Sequence, residues 1–207
     1  MDQGFNSVEI NGSFYRFPTE NWVNNWNANS QRGFDFSIKV HRAITHYSRL
    51  GDKAIQLWSR FKRPLKPIEE RISYWLFQMP STFTYNMENI EKIKNFENKA
   101  KLGNRAVLEF RDASWWRKAA LKEINETGVA FCSVSAPSLP GKIVTINQTT
   151  YYRLHGITKW YNHVYSDGEL DKILTKIKRE RGKRKAIYLN NDHGMLQNGF
   201  YLLNHIE

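Results

Sequence analysis

Six short stretches of the chain alternate apolar and polar side chains and carry their polar residues towards the C-terminal end. In VEIN, Val8 and Ile10 share one face of an extended backbone while Glu9 and Asn11 share the other, because side chains alternate with period two. FSIKV repeats the parity with Phe36, Ile38 and Val40 against Ser37 and Lys39, and LEFR with Leu108 and Phe110 against Glu109 and Arg111. YRLH sets Arg153 and His155 opposite Tyr152 and Leu154, YLNND sets Asn190 and Asp192 opposite Leu189, and LFQM sets Gln78 opposite Phe77 and Met79. A charge buried on a strand costs several kcal/mol unless it is paired or hydrogen-bonded, so a recurrent polar face needs a common destination. Buried strands of an open doubly wound sheet read as nearly continuous apolar runs, and these do not. A (β/α) barrel meets the constraint. Its inward side chains at the C-terminal strand ends converge on one pocket, where barrel enzymes place their chemistry.

The intervening sequence supplies the helices that such a barrel needs. Candidate strands at residues 5–11, 34–40, 74–79, 106–111, 129–134, 150–154 and 186–191 alternate with apolar residues at helical spacing. Ala54, Ile55, Leu57, Trp58 and Phe61 form one helical face, Met87, Ile90, Ile93 and Phe96 a second, Leu170, Ile173, Leu174 and Ile177 a third, and Met195, Leu196, Phe200, Leu203 and Ile206 a last. Ser114 is placed to cap a helix carrying Trp115, Ala119, Leu121 and Ile124, which Gly128 ends. Strand–helix–strand units imply parallel pairing with right-handed crossovers, and no low-complexity linker interrupts them. The expectation is a single α/β domain over residues 1–207. A hydrophobic content of 41% excludes a disordered chain. No run reaches the roughly 18 apolar residues of a membrane span and the N-terminus lacks a signal-peptide pattern, so a cytoplasmic protein without membrane contact is expected. The single cysteine, Cys132, lies in an apolar run; it excludes an intrachain disulfide and a cysteine zinc cluster and reads as core.

The stretches FNSVEINGSFYRFP, FDFSIKVHRAITHYSRL, LFQMPSTF, VLEFRDASWW, YYRLHG and YLNND, in this order, resemble the DUF72 (YecE-like) family and span nearly the whole chain. The resemblance implies a TIM-type (β/α) barrel. It carries polar family positions onto Glu9, Asn11, Lys39, Arg42, Thr45, His46, Gln78, Glu109, Arg111, Arg153, His155, Gly156, Asn190 and Asn191. It also implies an opening strand with no counterpart before Phe5, so the barrel is expected to be incomplete or seven-stranded. Open edges at residues 5–11 and 186–191 would then favour a homo-oligomer.

The residues themselves suggest what the pocket could do. Arginines in a concave site recognise carboxylate or phosphate, so Arg42, Arg111 and Arg153, with Asn11, Lys39, Gln78 and Asn190, point to a small anionic substrate. His155 and His46 titrate near neutrality, and Glu109 and Glu9 could orient them or activate water; together they suggest hydrolysis of a phosphoester or related anion, including a nucleic-acid phosphodiester. A plain layer of internal salt bridges among the same residues is the competing reading. Glu9, Glu109, His46, His155 and Asp192 are also metal-ligand types, which leaves a divalent metal cofactor open, although no tight ligand spacing occurs. A second functional class rests on charge. The formal net charge is +11, and residues 172–185 hold eight cations against the one acid Glu180. Lys178, Arg179, Arg181, Lys183, Arg184 and Lys185, on and after an amphipathic helix through residues 170–181, therefore suggest a non-catalytic module that binds nucleic acid or another polyanion.

Overall fold

A computed structural model describes residues 4–206. Among them, seven strands alternate with helices in the α/β pattern of a TIM-type barrel. The chain forms two compact units, Met1–Asp112 and Ala113–Glu207.

In the first unit, β1 (Ser7–Ile10), β2 (Asp35–Lys39), β3 (Ile72–Gln78) and β4 (Ala106–Glu109) pair in parallel in chain order. The register shifts between Phe36 and Ser37, a bulge that re-aims the end of β2. The crossovers carry α1 (Glu20–Ala28), α2 (Ala54–Lys62) and α3 (Met87–Ala100). The cores of α2 and α3 meet the sheet through aromatic rings. Trp58 lies edge-on to Trp75 at 4.8 Å, with Phe77 at 5.6 Å and Phe96 at 6.2 Å. Asn86 caps α3 by accepting from Asn89 N at 2.8 Å, and Lys101 ends it in the left-handed region.

Helix α1 has no counterpart in the sequence expectation. It is short and asparagine-rich, and only Val23 is fully buried, so no apolar stripe announces it. Its one local signal is Thr19, whose Oγ1 accepts from Trp22 N at 3.3 Å.

In the second unit, α4 (Lys118–Glu126) precedes β5 (Ala130–Ser135), β6 (Thr149–Leu154), α5 (Asp167–Arg179), β7 (Arg184–Leu189) and α6 (Met195–His205). β5, β6 and β7 are parallel neighbours in that order. Leu170, Ile173, Leu174 and Ile177 of α5 pack on Tyr152, Leu154, Tyr165 and Leu202. Ser166 and Glu169 form a reciprocal capping box at the start of α5. Two expected boundaries are corrected. Ser114 does not cap α4: Ala113–Trp116 is a 3-10 turn that takes up both tryptophans, and Arg117 is the N-cap. The basic helix ends at Arg179 rather than residue 181, because Glu180 turns extended and accepts from Thr145 Oγ1 at 2.5 Å. Gly128 does end the α4 region, at φ +82, and Cys132 is fully buried.

Strands β4, β5 and β6 are buried at every position. Their polar side chains are therefore inside the fold, and each must be matched by a partner.

Candidate functional site

Within each unit the polar ends of the strands form a cluster. In the first unit, Glu109 at the end of β4 is completely buried and its Oε1 lies 2.6 Å from Arg111 Nη2. The carboxylate anchors a cation that would otherwise be costly at 13% side-chain exposure. At the end of β2, Lys39 is held over the Phe14 ring, with Nζ 4.3 Å from the centroid. Ser13 Oγ shares its one proton between Ile10 O at 2.8 Å and Lys39 O at 2.7 Å, clipping the ends of β1 and β2 together. The next turn, Ala43–Tyr47, is π-helical, closed by Ser48 N donating to Ala43 O at 2.9 Å. Such turns recur at functional sites.

This π turn presents His46. Its ring meets Phe14 edge-on at 5.0 Å, and its Nδ1 lies 2.9 Å from Thr45 Oγ1. Burial, followed by the charges of Lys39, Arg111 and Arg42, holds the His46 pKa below the ordinary histidine value. Arg42 itself is exposed, with its guanidinium 5.8 Å from the Tyr15 ring and 5.9 Å from the Tyr47 ring. Three cations thus act on one neutral imidazole. Gln78 donates to Met79 O at 3.1 Å and turns its amide to the loop after β3. Glu9 and Asn11 are partners of each other, Asn11 Nδ2 donating to Glu9 Oε1 at 3.1 Å.

In the second unit, Arg153 and His155 at the end of β6 are almost wholly buried. Arg153 Nη1 lies 3.2 Å from His155 Nε2, and Nη2 donates to Asn190 Oδ1 at 2.9 Å. A guanidinium is a donor only, so His155 accepts at Nε2 and keeps its proton at Nδ1. Trp160 and Tyr161 cover the imidazole, with ring centroids 5.4 Å and 5.2 Å away. The covering loop is tied down by Tyr165. Its hydroxyl accepts from Gly156 N at 2.8 Å and donates to Ser135 Oγ at 2.9 Å, and burial pushes its pKa up. Asn191 donates to His163 O at 3.0 Å and to Asn198 Oδ1 at 2.8 Å, so it fastens this loop to α6.

The sequence reading named Lys39, Arg42, His46, Glu109 and Arg111 but missed what holds them. Phe14, Tyr15 and Tyr47 cradle the cations; GSFY directly after VEIN supplies the first two, and the π turn supplies Tyr47. Tyr165 is expected from sequence only as an aromatic able to stack a sugar or base ring, whereas in the structure it reaches Ser135, thirty residues away, a contact that the sequence reading did not name. Among the described residues, no group of three or more His, Cys, Asp or Glu side chains is placed to hold a metal ion, and no helix is long and apolar enough to cross a membrane. Lys178, Arg179, Arg181, Lys183, Arg184 and Lys185 are all exposed, around the C-terminus of α5 and the start of β7.

Comparison with known proteins gives one family. The profile described as "Protein of unknown function DUF72" matches residues 2–198. The fold is similar to that of a crystallised DUF72 family protein from Thermotoga maritima MSB8, at TM-score 0.82 and 24% identity, covering 96% of this chain and 84% of that one. It is also similar to a DUF72 family protein from Enterococcus faecalis V583, at TM-score 0.83 and 18% identity, covering 97% and 84% of the two chains. No curated protein matches. With the profile spanning nearly the whole sequence and the strand-end residues in place, the chain belongs to the DUF72 family.

Proposed function

We propose that the chain is a hydrolase of a small phosphorylated or otherwise anionic substrate, bound at the C-terminal strand ends of the first unit. The observation that carries this reading is the charge balance around His46. Lys39, Arg42 and Arg111 all act on it, and Arg111 is held in place by Glu109. Such a cluster favours an incoming anion, and Arg42 and Arg111 can hold phosphate or carboxylate oxygens by paired hydrogen bonds. A histidine kept neutral at physiological pH can accept a proton from the attacking water as the bond to the leaving group breaks.

The anion and the imidazole proton are linked. Because the folded-state pKa of His46 is lowered, its neutral form contributes stability that is full above the ordinary value of 6.5 and is lost as pH falls through it towards the folded value. Inorganic phosphate should reverse this by adding negative charge beside the ring. The His46 pKa, followed by NMR, is expected to rise on adding phosphate, and Arg111→Ala should weaken phosphate binding by about tenfold or more. Bis(p-nitrophenyl) phosphate, tested with and without magnesium or manganese, reads turnover, which His46→Gln should abolish. Phosphate that leaves the His46 titration unmoved sinks the anion site. Binding without turnover under any of these conditions reduces it to a non-catalytic module.

The exposed cations of residues 178–185 favour a second reading, a nucleic-acid-binding face on the second unit. Glu180, the one acid among them, accepts from Thr145, and its single charge leaves the strip strongly positive. Binding of a single-stranded oligonucleotide should weaken steeply with salt, as phosphate contacts release counterions. Replacing Lys183, Arg184 and Lys185 together by alanine should flatten that salt slope by about three contacts' worth. An unchanged slope, measured by fluorescence anisotropy, would remove the reading.

A further inference from the structure

We propose that the cleft between the end of β1 and helix α1 binds a neutral pyranose ring. The cleft is lined by Glu9, Ile10, Asn11, Trp22, Asn25 and Trp26, with Gly12 at its rim, and has a volume of about 380 Å³. That lies within the range of small-molecule sites. Its walls differ chemically. On α1, Trp22 and Trp26 are one helical turn apart, with ring centroids 6.2 Å from each other and planes tilted by 44°. Both indoles are half-buried, whereas Val23 between them is fully buried. The helix therefore docks through Val23 and turns its two largest side chains to the cleft.

The opposite wall is polar. Glu9 and Asn11 lie at the end of β1, Asn11 donating to the carboxylate at 3.1 Å, and Asn25 adds an exposed carboxamide from α1. A pyranose matches both walls. Its ring C–H groups carry slight positive charge and lie against the electron-rich face of an indole. Its hydroxyls both donate and accept, which suits a carboxylate that only accepts and carboxamides that do both. Two other ligand classes fit less well. An anion would be opposed by Glu9, and a quaternary ammonium, though attracted to Glu9 and the indole faces, offers nothing to the amide N–H groups of Asn11 and Asn25. Glu9 and Asn11 are strand-end residues of the first unit too, but this cleft uses none of His46, Lys39, Arg42, Arg111 and Glu109, so the two readings fail separately.

The test is an NMR titration of the whole chain, following the indole N–H resonances of Trp22 and Trp26. The probes are methyl β-D-glucopyranoside, methyl α-D-mannopyranoside, methyl N-acetyl-β-D-glucosaminide and cellobiose, with tetramethylammonium chloride as the cationic comparison. At least one sugar should shift both indole resonances saturably, and Trp26→Ala should weaken its affinity by about tenfold or more. Asn25→Ala and Glu9→Gln, which remove no large buried side chain, should also weaken it while thermal unfolding stays unchanged. These variants keep the proposal testable if the tryptophan variant folds poorly. Three outcomes overturn it: no saturable shift with any of the sugars, saturation by tetramethylammonium instead, or indole shifts that follow protein concentration and so mark a second copy in the cleft.

Discussion

Glu109→Ala lowers the free energy of unfolding by about 3–5 kcal/mol, the cost of leaving a mostly buried cation without its counter-charge. Glu109 is fully enclosed and Arg111 is 13% exposed, with 2.6 Å between the charged atoms, so water cannot take over the role of the carboxylate. Against a domain stability of about 5–15 kcal/mol this is a large share, and it should appear as a marked fall in the urea midpoint. Glu109→Gln keeps the shape and one acceptor and should lose less. The double variant Glu109→Gln with Arg111→Met should recover part of the loss, because both members of the pair are then neutral. A single-variant loss below about 1 kcal/mol would mean that the pair behaves as an exposed one, and the electrostatic account of the first cluster would fall with it.

Gly156→Ala should cost about 2–4 kcal/mol, from backbone strain and overpacking together. Gly156 has φ +117, and a Cβ there would overlap the Lys159 carbonyl oxygen and come within 2.9 Å of His163 Cβ. The loop cannot yield easily, since Gly156 N is tied to Tyr165 and Tyr161 N donates to His155 O at 2.6 Å. The expected signature is local as well as global: Trp160 and Tyr161 shift off His155, which a change in the His155 ring resonances would record. Gly128→Ala is the control. Gly128 is also left-handed, at φ +82, but has open space around it, so strain alone acts and the loss should be about 1 kcal/mol. Equal losses at the two glycines would show that the close contacts at Gly156 carry no weight.

The strands were legible because their signal is local. Period-two alternation located six of the seven and an apolar run located β5, and the polar parity within VEIN, FSIKV, LEFR and YRLH marked residues that the structure places at strand ends. Helices with a wide apolar face, such as α3 and α5, were equally plain. Helix α1 was not, since one buried valine among asparagines makes no periodic stripe, and the Trp22–Trp26 cleft stayed hidden with it. The surroundings of the site residues were illegible for a different reason. Nothing local in the sequence says that Phe14 lies beneath Lys39, that Tyr165 reaches Ser135, or that Arg153 fixes the tautomer of His155. These contacts join distant segments, and only the folded chain sets their distances.

The π turn at Ala43–Tyr47 limits how this region can vary in length. It fits one residue more into its loop of backbone than an α turn would, and His46 takes its direction from that extra residue. Deleting a single residue here would let the backbone relax to ordinary α geometry and rotate every later side chain in the turn by about 100° around the axis. His46 would swing away from Phe14 although its own identity was untouched. Relatives that keep this imidazole in place should therefore differ here by substitution and not by insertion or deletion, and a redesign of the site must preserve the residue count between Lys39 and Leu50 before it considers composition.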